Sequence, residues 1–235
     1  MEVSGIPVEV VRKNIKNLHL AVYPPVGRVR IAVPNRIDDD AVRLAIISKL
    51  GWIRKRQAKF NTQDRQTQRE YVSGETHYIW GKRYRMRVVM HEGKAQVLLK
   101  NKATIHMFIA KVSDRVKREQ LMAEWYRAQL KSIISELVSN WQPVIGVKVA
   151  GYGVKKMKTK WGSCNISAKH IWLNLELGKK PLHCLEYIVV HEMVHLLERH
   201  HNIRFVRLMD KFLPKWKYYR EELNRYPLAH EDWEY

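Results

Sequence analysis

The chain of 235 residues contains only two cysteines, Cys164 and Cys184. So few thiols exclude a disulfide framework and a cysteine-rich zinc ribbon. No apolar run approaches the roughly eighteen residues of a membrane span, and the first thirty residues lack the apolar run and cleavage site of a secretory signal. We therefore expect a soluble, cytoplasmic protein with no membrane partner, in which any metal is held mainly by histidine.

Acidic residues are also scarce, since 23 Asp and Glu stand against 43 Lys and Arg, a formal net charge of +20. Much of the excess lies in residues 1–110, which carry 21 basic and 9 acidic residues. Such a field attracts polyanions, so DNA or RNA is a plausible partner. The stretch "KLGWIRKRQAKF" is the candidate contact, with four cations interleaved with Trp52 and Phe60: Arg54, Lys55, Arg56 and Lys59. The alternative is the solvated face of an amphipathic helix.

The patterning predicts an α+β fold in two parts. Residues 1–105 are expected to form a basic, β-rich N-terminal region, in which an antiparallel sheet around the turn "PPVG" is followed by a helix that starts at three aspartates. Residues 106–235 are expected to form a second domain. It includes a long amphipathic helix over 111–139, stopped or followed by Pro143, and a helix opened by Pro181. A further helix over "NIRFVRLMDKFL" should end before Pro214.

The stretch "VVHEMVHLLERHH" carries the main functional signal. If residues 182–197 are helical, His191 and His195 lie one turn apart and both rings can reach one cation. Glu192 then lies on a neighbouring edge of the helix, where its carboxylate can act on water. This arrangement is the physical basis of the H-E-x-x-H motif. The apolar lead-in "CLEYIVV" predicts a buried helix, in which unsatisfied imidazoles would be costly. Histidines satisfied in the core or by solvent at a helix end are the alternative interpretation.

A catalytic zinc takes three protein ligands, so a third is required. The nearest candidates are His200 and His201, and His201 has the ligand spacing of metzincins. The glycine that turns the metzincin chain is replaced here by Glu198, so the chain must bend near residue 199 or 200. We expect Asn202 to tolerate that bend. Three glutamates are alternative third ligands: Glu198, Glu221 and Glu222.

The segments "MKTKWGSCNISAKHIWLNLEL", "YIVVHEMVHLLERHHNIRF" and "LPKWKYYREELN" together resemble the YgjP-like family of zinc metallopeptidases, which are related to the SprT-like zincins. The resemblance extends upstream to "VSGETHYIWGKRYRMRVV". It implies a minimal zincin-like α+β domain around the H-E-x-x-H helix, with His201 as the third ligand of one Zn²⁺ ion. This sequence departs from the family pattern at His200, where the family more often has Asn.

The resemblance also gives a meaning to "KWGSCN". In zincins an edge strand beside the active helix pairs with an extended peptide, and the matching residues here are Trp161, Gly162, Ser163 and Cys164. Core packing is the alternative for Trp161 and Cys164. SprT-like relatives are associated with proteolysis on DNA, which the basic first half would suit.

We therefore predict a zinc metallopeptidase in which Glu192 is the general base and His191, His195 and His201 are the metal ligands. Its partner is a protein or peptide substrate, with recruitment to nucleic acid as an added expectation. Two alternatives stay open at this point. One is a nucleic-acid-binding protein with a four-ligand structural zinc, and the other is a metal-dependent hydrolase of a non-peptide bond. His170, Tyr152 and Tyr187 are candidate donors to the oxyanion.

Overall fold

The computed structural model describes residues 1–23, 26–62, 69–157 and 160–225, with only the backbone at positions 59, 61 and 62. These residues form two compact units on either side of residues 63–68. The predicted boundary between residues 105 and 106 does not coincide with this division, because the strands from residue 76 onward contribute apolar side chains to the core of the second unit. No helix in the described ranges combines the length and apolar character needed to span a bilayer.

The first unit is a four-stranded sheet with two helices. Its elements are β1 (Glu2–Val3), β2 (Ile6–Lys13), β3 (His19–Tyr23), β4 (Arg28–Pro34), α1 (Asp39–Ile47) and α2 (Leu50–Thr62). The strand order is β1-β2-β4-β3. The predicted antiparallel pairing holds for β1 with β2 and for β3 with β4, whereas β2 and β4 are parallel. The sheet is mixed because β4 lies between β2 and β3. The alternation of apolar and polar residues does not determine this strand order.

The aspartates act as predicted at the start of α1. The Asp38 side chain accepts a hydrogen bond from the Ala41 amide at 2.7 Å, which caps the helix. The helical stretch is interrupted before Gly51, since α1 ends at Ile47 and Gly51 is inside α2. Alternating strand residues and Val42, Ile46 and Ile53 from the helices form the core of this unit.

The second unit begins with another four-stranded sheet. Its strands are β5 (Thr76–Ile79), β6 (Lys82–Met90), β7 (Gln96–Leu99) and β8 (Thr104–Ile109), in the order β5-β6-β8-β7. Sequence patterning missed β8, in which Ile105, Met107 and Ile109 are buried. Their side chains pack in the same core as the long helix that follows.

The long helix α3 runs from Arg115 to Ile145, and therefore six residues beyond the predicted end. Pro143 does not stop it, since a proline in the last turn removes only one helical hydrogen bond. The helix ends at Gly146, whose φ of 77° is the left-handed conformation that glycine adopts without strain. A buried row at four-residue spacing faces the core: Met122, Tyr126, Leu130, Ile134 and Val138.

A three-stranded sheet and three helices complete the second unit. These elements are β9 (Gly151–Lys155), β10 (Gly162–Asn165), β11 (His170–Asn174), a 3₁₀ turn (Leu175–Lys179), α4 (Leu182–Val194), α5 (Ile203–Phe212) and α6 (Trp216–Arg225). The helices that open after Pro181 and close before Pro214 are confirmed. The strand order is β10-β11-β9, so β10 is an edge strand, and α4 packs against both β10 and β11.

Candidate active site

The last turn of α4 presents the H-E-x-x-H residues. Nearly all side chains between Cys184 and Val194 are buried, so α4 is the core helix that the apolar lead-in predicted. The helix ends earlier than predicted, because its last residue is Val194 and His195 is the C-terminal capping residue. The early end matters because it lets the chain turn immediately after His195.

The turn after α4 is closed by its own hydrogen bonds. The Glu198 amide donates to the Val194 carbonyl at 3.0 Å, and His195 Nδ1 lies 3.1 Å from the Glu198 carbonyl oxygen. The chain turns at residues 195–197 and then bends at Arg199 and His200, as expected. Asn202 has an extended backbone and not an unusual one, and its side chain caps α5 by accepting from the Phe205 amide at 3.0 Å.

This turn brings three imidazoles together. The candidate ligand atoms of His191, His195 and His201 all lie within 4.8 Å of one another, and the Nε2 atoms of His191 and His201 are 3.0 Å apart. The ring of Phe205 packs against all three, with centroid distances of 4.7 to 4.9 Å. The two candidates for the third ligand differ in position, because His201 belongs to this cluster and His200 does not, although both side chains are exposed.

The chemistry of the cluster fits a metal ion. Burial lowers the pKa of His191 to about 3 and also lowers the pKa of His195, so both rings are neutral, the form that binds a cation. Because His195 Nδ1 faces a carbonyl oxygen, that nitrogen carries the proton and Nε2 keeps a free lone pair. Two facing Nε2 atoms at 3.0 Å need a shared proton or a shared cation. A set of three imidazoles favours zinc among the common ions.

Glu192 is buried next to this cluster, with 5% of its surface exposed. Burial raises the pKa of Glu192 to about 8, and the nearby charge of Lys160 opposes that rise. Gly162 of β10 passes so close that a Cβ atom there would lie 2.6 Å from Glu192 Oε1. Only glycine permits this approach of the strand to the carboxylate, a role that the sequence did not reveal.

A groove of about 510 Å³ runs between β10 and α4. All four residues predicted to contact substrate line it, namely Trp161, Gly162, Ser163 and Cys164. The three histidines and Glu192 line it as well. Within the described residues β10 pairs only with β11, so its other edge faces the groove without a strand partner.

Cys164 is poorly suited to be a nucleophile. Burial, together with a smaller contribution from the charge of Glu192, raises the pKa of its thiol to about 11, so the reactive thiolate is disfavoured.

Of the three candidate oxyanion donors, only Tyr187 lines the groove. Burial raises its pKa to about 12, which keeps the hydroxyl protonated and able to donate a hydrogen bond. His170 instead lies against Trp172, with ring centroids 4.6 Å apart, and neither it nor Tyr152 lines the groove.

Of the alternative glutamate ligands, Glu198 and Glu222 have other partners, and Glu221 is exposed on α6. Glu198 accepts a hydrogen bond from the His200 amide at 3.1 Å, and Glu222 lies 2.7 Å from His183 Nε2. His183, Cys184 and Glu222 form a second group of metal-type ligand atoms within 4.8 Å. Burial raises the pKa of Cys184 to about 12, so its thiol stays protonated, and we assign no metal to this group.

Sequence reasoning also missed Asn174, which is buried below the start of β10. Its side-chain Nδ2 donates to the carbonyl oxygens of Met157 and Lys160, each at 2.8 Å, and its own amide donates to the Trp161 carbonyl at 2.9 Å. Asn174 therefore holds the segment that leads into the groove. A buried asparagine carries no pattern in sequence that distinguishes it from a turn residue.

The predicted nucleic-acid contacts lie in the first unit. Arg54, Lys55 and Arg56 are exposed on α2, and the Arg56 guanidinium lies 5.8 Å from the centre of the Trp52 ring. The side chain of Lys59 lies outside the described residues.

Comparison with known proteins gives a family match and distant structural likenesses. A sequence model described as YgjP-like, metallopeptidase domain, matches residues 16–226. A search of curated proteins finds no significant match. The zymogen of Pyrococcus abyssi abylysin, a metallopeptidase, is 18% identical over 38% of this chain and 90% of its own, with a TM-score of 0.36. The zymogen of Methanocaldococcus jannaschii jannalysin, also a metallopeptidase, is 20% identical over 40% of this chain and 92% of its own, with a TM-score of 0.34.

Proposed function

Since the chain belongs to the YgjP-like metallopeptidase family, we propose that it hydrolyses peptide bonds with one zinc ion held by His191, His195 and His201. Glu192 is the general base of this reaction. The observation that carries the proposal is the convergence of three imidazoles beside a buried carboxylate in a groove. That arrangement has the ligand number of a catalytic zinc site, because three protein ligands leave one position for a reactant.

When bound, zinc supplies a Lewis acid that polarises the scissile carbonyl and increases the acidity of the attacking water. Glu192 accepts the proton of that water and then returns it to the leaving nitrogen. Burial raises the pKa of the carboxyl, whereas Lys160 lowers it, and any further positive charge in the groove acts in the same direction as Lys160. A carboxyl tuned in this way can both take up and release a proton near neutral pH.

The unpaired edge of β10 supports a mode of substrate binding. An extended peptide can pair its main chain with Gly162–Asn165, which gives affinity with little dependence on side chains. The peptide would then pass over Glu192, because Gly162 is the strand residue nearest that carboxylate.

The substitution Glu192→Gln tests the proposal. It keeps the shape of the side chain and removes the base, so we expect unchanged zinc content and a loss of kcat/KM of about 10²- to 10⁴-fold. Glu136→Gln, at an exposed position of α3, is the matched control and should behave as the parent. Casein, a mixed peptide library and single-stranded DNA should be offered as substrates to all three proteins.

The two alternatives make different predictions in the same experiment. A structural zinc would give full metal content with no hydrolysis of any substrate by the parent. Hydrolysis of DNA but not of peptides, lost in Glu192→Gln, would assign the site to another bond. Equal peptide cleavage by the parent and by Glu192→Gln would remove Glu192 as the base.

We also propose that α2 recruits the enzyme to nucleic acid. Its support is the row of exposed cations Arg54, Lys55 and Arg56, with Trp52 available for stacking. Binding to DNA should weaken steeply with salt, because phosphate contacts release counterions. Replacing the three cations with glutamate should abolish binding and leave cleavage of free peptides unchanged. Binding by the triple variant at the affinity of the parent would refute this proposal.

A further inference from the structure

The groove has an uneven distribution of charge. Among the residues that line it, Glu192 carries the only carboxyl group, whereas Lys160 and Arg199 are both cations. Both cations are exposed, and neither makes an ion pair within the described part of the chain. Once Glu192 is engaged in proton transfer, nothing in the groove balances these two charges.

The position of Lys160 is fixed by the fold. Its carbonyl oxygen accepts a hydrogen bond from the buried Asn174 side chain at 2.8 Å, and the next carbonyl, of Trp161, is held by the Asn174 amide. The Lys160 side chain therefore projects from a backbone that is anchored by hydrogen bonds, two residues before the edge strand begins. Its charge is close enough to Glu192 to oppose the effect of burial on that carboxyl.

Arg199 is anchored by the turn that assembles the histidine cluster. The turn is closed by the bond from the Glu198 amide to Val194, and His195 faces the backbone of both Glu198 and Arg199. The Glu198 carboxylate has partners other than Arg199, because it accepts a hydrogen bond from the His200 amide and lies 3.9 Å from Arg204. Both cationic side chains thus project from backbone segments that are held close to the reactive groups.

From this arrangement we propose that the groove selects peptide segments with acidic side chains within about two residues of the scissile bond, where Lys160 and Arg199 bind the carboxylates. The inference rests on the proposed peptidase function and names its substrate class. Main-chain pairing with β10 gives little preference of its own, so charge is the feature that discriminates between sequences. Basic segments are disfavoured by like-charge repulsion in a groove that already contains two cations.

The test measures binding separately from cleavage. Zinc-loaded Glu192→Gln protein is titrated into fluorescein-labelled octapeptides of alanine that carry one Glu, Gln or Lys at each successive position, and fluorescence anisotropy reports Kd. We expect the best Glu peptides to bind about tenfold more tightly than the matching Gln peptides at low salt, and the difference to shrink at high salt.

Charge reversal identifies the groups responsible. Lys160→Glu and Arg199→Glu, each in the Glu192→Gln background, should remove the preference for Glu at the position each cation serves and improve binding of the Lys peptides. Lys131→Glu, at an exposed position on α3 outside the groove, makes the same change in net charge and should leave the preference intact. If a reversed variant loses zinc, Lys160→Gln and Arg199→Gln replace it in the comparison.

Two outcomes overturn the inference. One is equal Kd for the Glu and Gln peptides at every position, and the other is a preference that survives both charge reversals. A third outcome would assign the groove to nucleic acid and also overturn the inference. In it, a single-stranded oligonucleotide competes as strongly as the acidic peptide does, and its binding depends equally on Lys160 and Arg199. Turnover by the parent protein keeps the two proposals apart. Cleavage without acidic preference refutes only the inference, whereas acidic preference in binding without any cleavage refutes only the peptidase function.

Discussion

The contact between Gly162 and Glu192 gives the most demanding prediction. A methyl group at position 162 would lie 2.6 Å from Glu192 Oε1, 2.8 Å from Cγ and 2.9 Å from Cδ, whereas ordinary contact begins at 3.4 Å. In Gly162→Ala the strand and the carboxylate must therefore separate by about 0.8 Å, the difference between those contact distances. Glu192 is buried on a core helix and cannot retreat, so the carboxylate is pushed into the groove or β10 moves away.

We expect this displacement to lower kcat/KM by about 10²-fold, because a misplacement of about 1 Å in a reactive group has an effect of that size. Overpacking should also lower the free energy of unfolding by about 1 to 3 kcal/mol. Zinc content should be unchanged, since the three atoms nearest to a methyl group at position 162 all belong to Glu192. The measurements are kcat/KM on a peptide that the parent cleaves, metal analysis and denaturant unfolding.

Gly51→Ala is the matched control for Gly162→Ala. Gly51 lies in α2, and a methyl group added there would meet no atom within 4 Å, so the same chemical change should leave activity at the level of the parent. Parental kcat/KM in Gly162→Ala would refute the argument that this glycine makes room for the general base. Loss of zinc together with activity would refute it as well, since the damage would then extend beyond Glu192.

Three further predictions concern the ligand set, the loop before β10 and pH. His201→Ala should lose zinc in metal analysis, whereas His200→Ala should retain it; the reverse pattern would transfer the third ligand to His200. Asn174→Ala leaves two partly buried carbonyls without their donor, so denaturant unfolding should show a loss of about 2 kcal/mol. A loss below about 1 kcal/mol would contradict the anchoring role. Burial lowers the pKa of His77 to about 4, below its unfolded value of 6.5. Between these two pH values the folded state binds fewer protons than the unfolded state, so the free energy of unfolding falls as pH drops from 6.5 to 4. This loss should reach about 3 kcal/mol in urea titrations and shrink in His77→Gln, and identical pH profiles for the parent and the variant would refute it.

Local patterning was sufficient wherever one element determined the outcome. The four-residue spacing of His191 and His195, the apolar lead-in and the two prolines placed α4 and α5 correctly. Aspartate at the start of α1 was interpreted correctly because its side chain caps the amides of its own first turn. Patterning failed at Pro143 and at β8, where packing in the core of the second unit outweighs local preference.

What the sequence determined by itself is the set of groups available for chemistry: histidines and one glutamate at helical and metzincin spacing, in a chain with too few thiols for a cysteine-rich zinc ribbon. The tertiary structure alone decided that α4 ends at Val194 and that His201 joins the cluster while His200 does not. It also decided that Gly162, Lys160 and Arg199 line the groove beside the reactive groups. The reason is physical. Spacing within a helix is fixed by its backbone hydrogen bonds, whereas the approach of β10 to α4 depends on packing between residues about thirty positions apart, which no local pattern records.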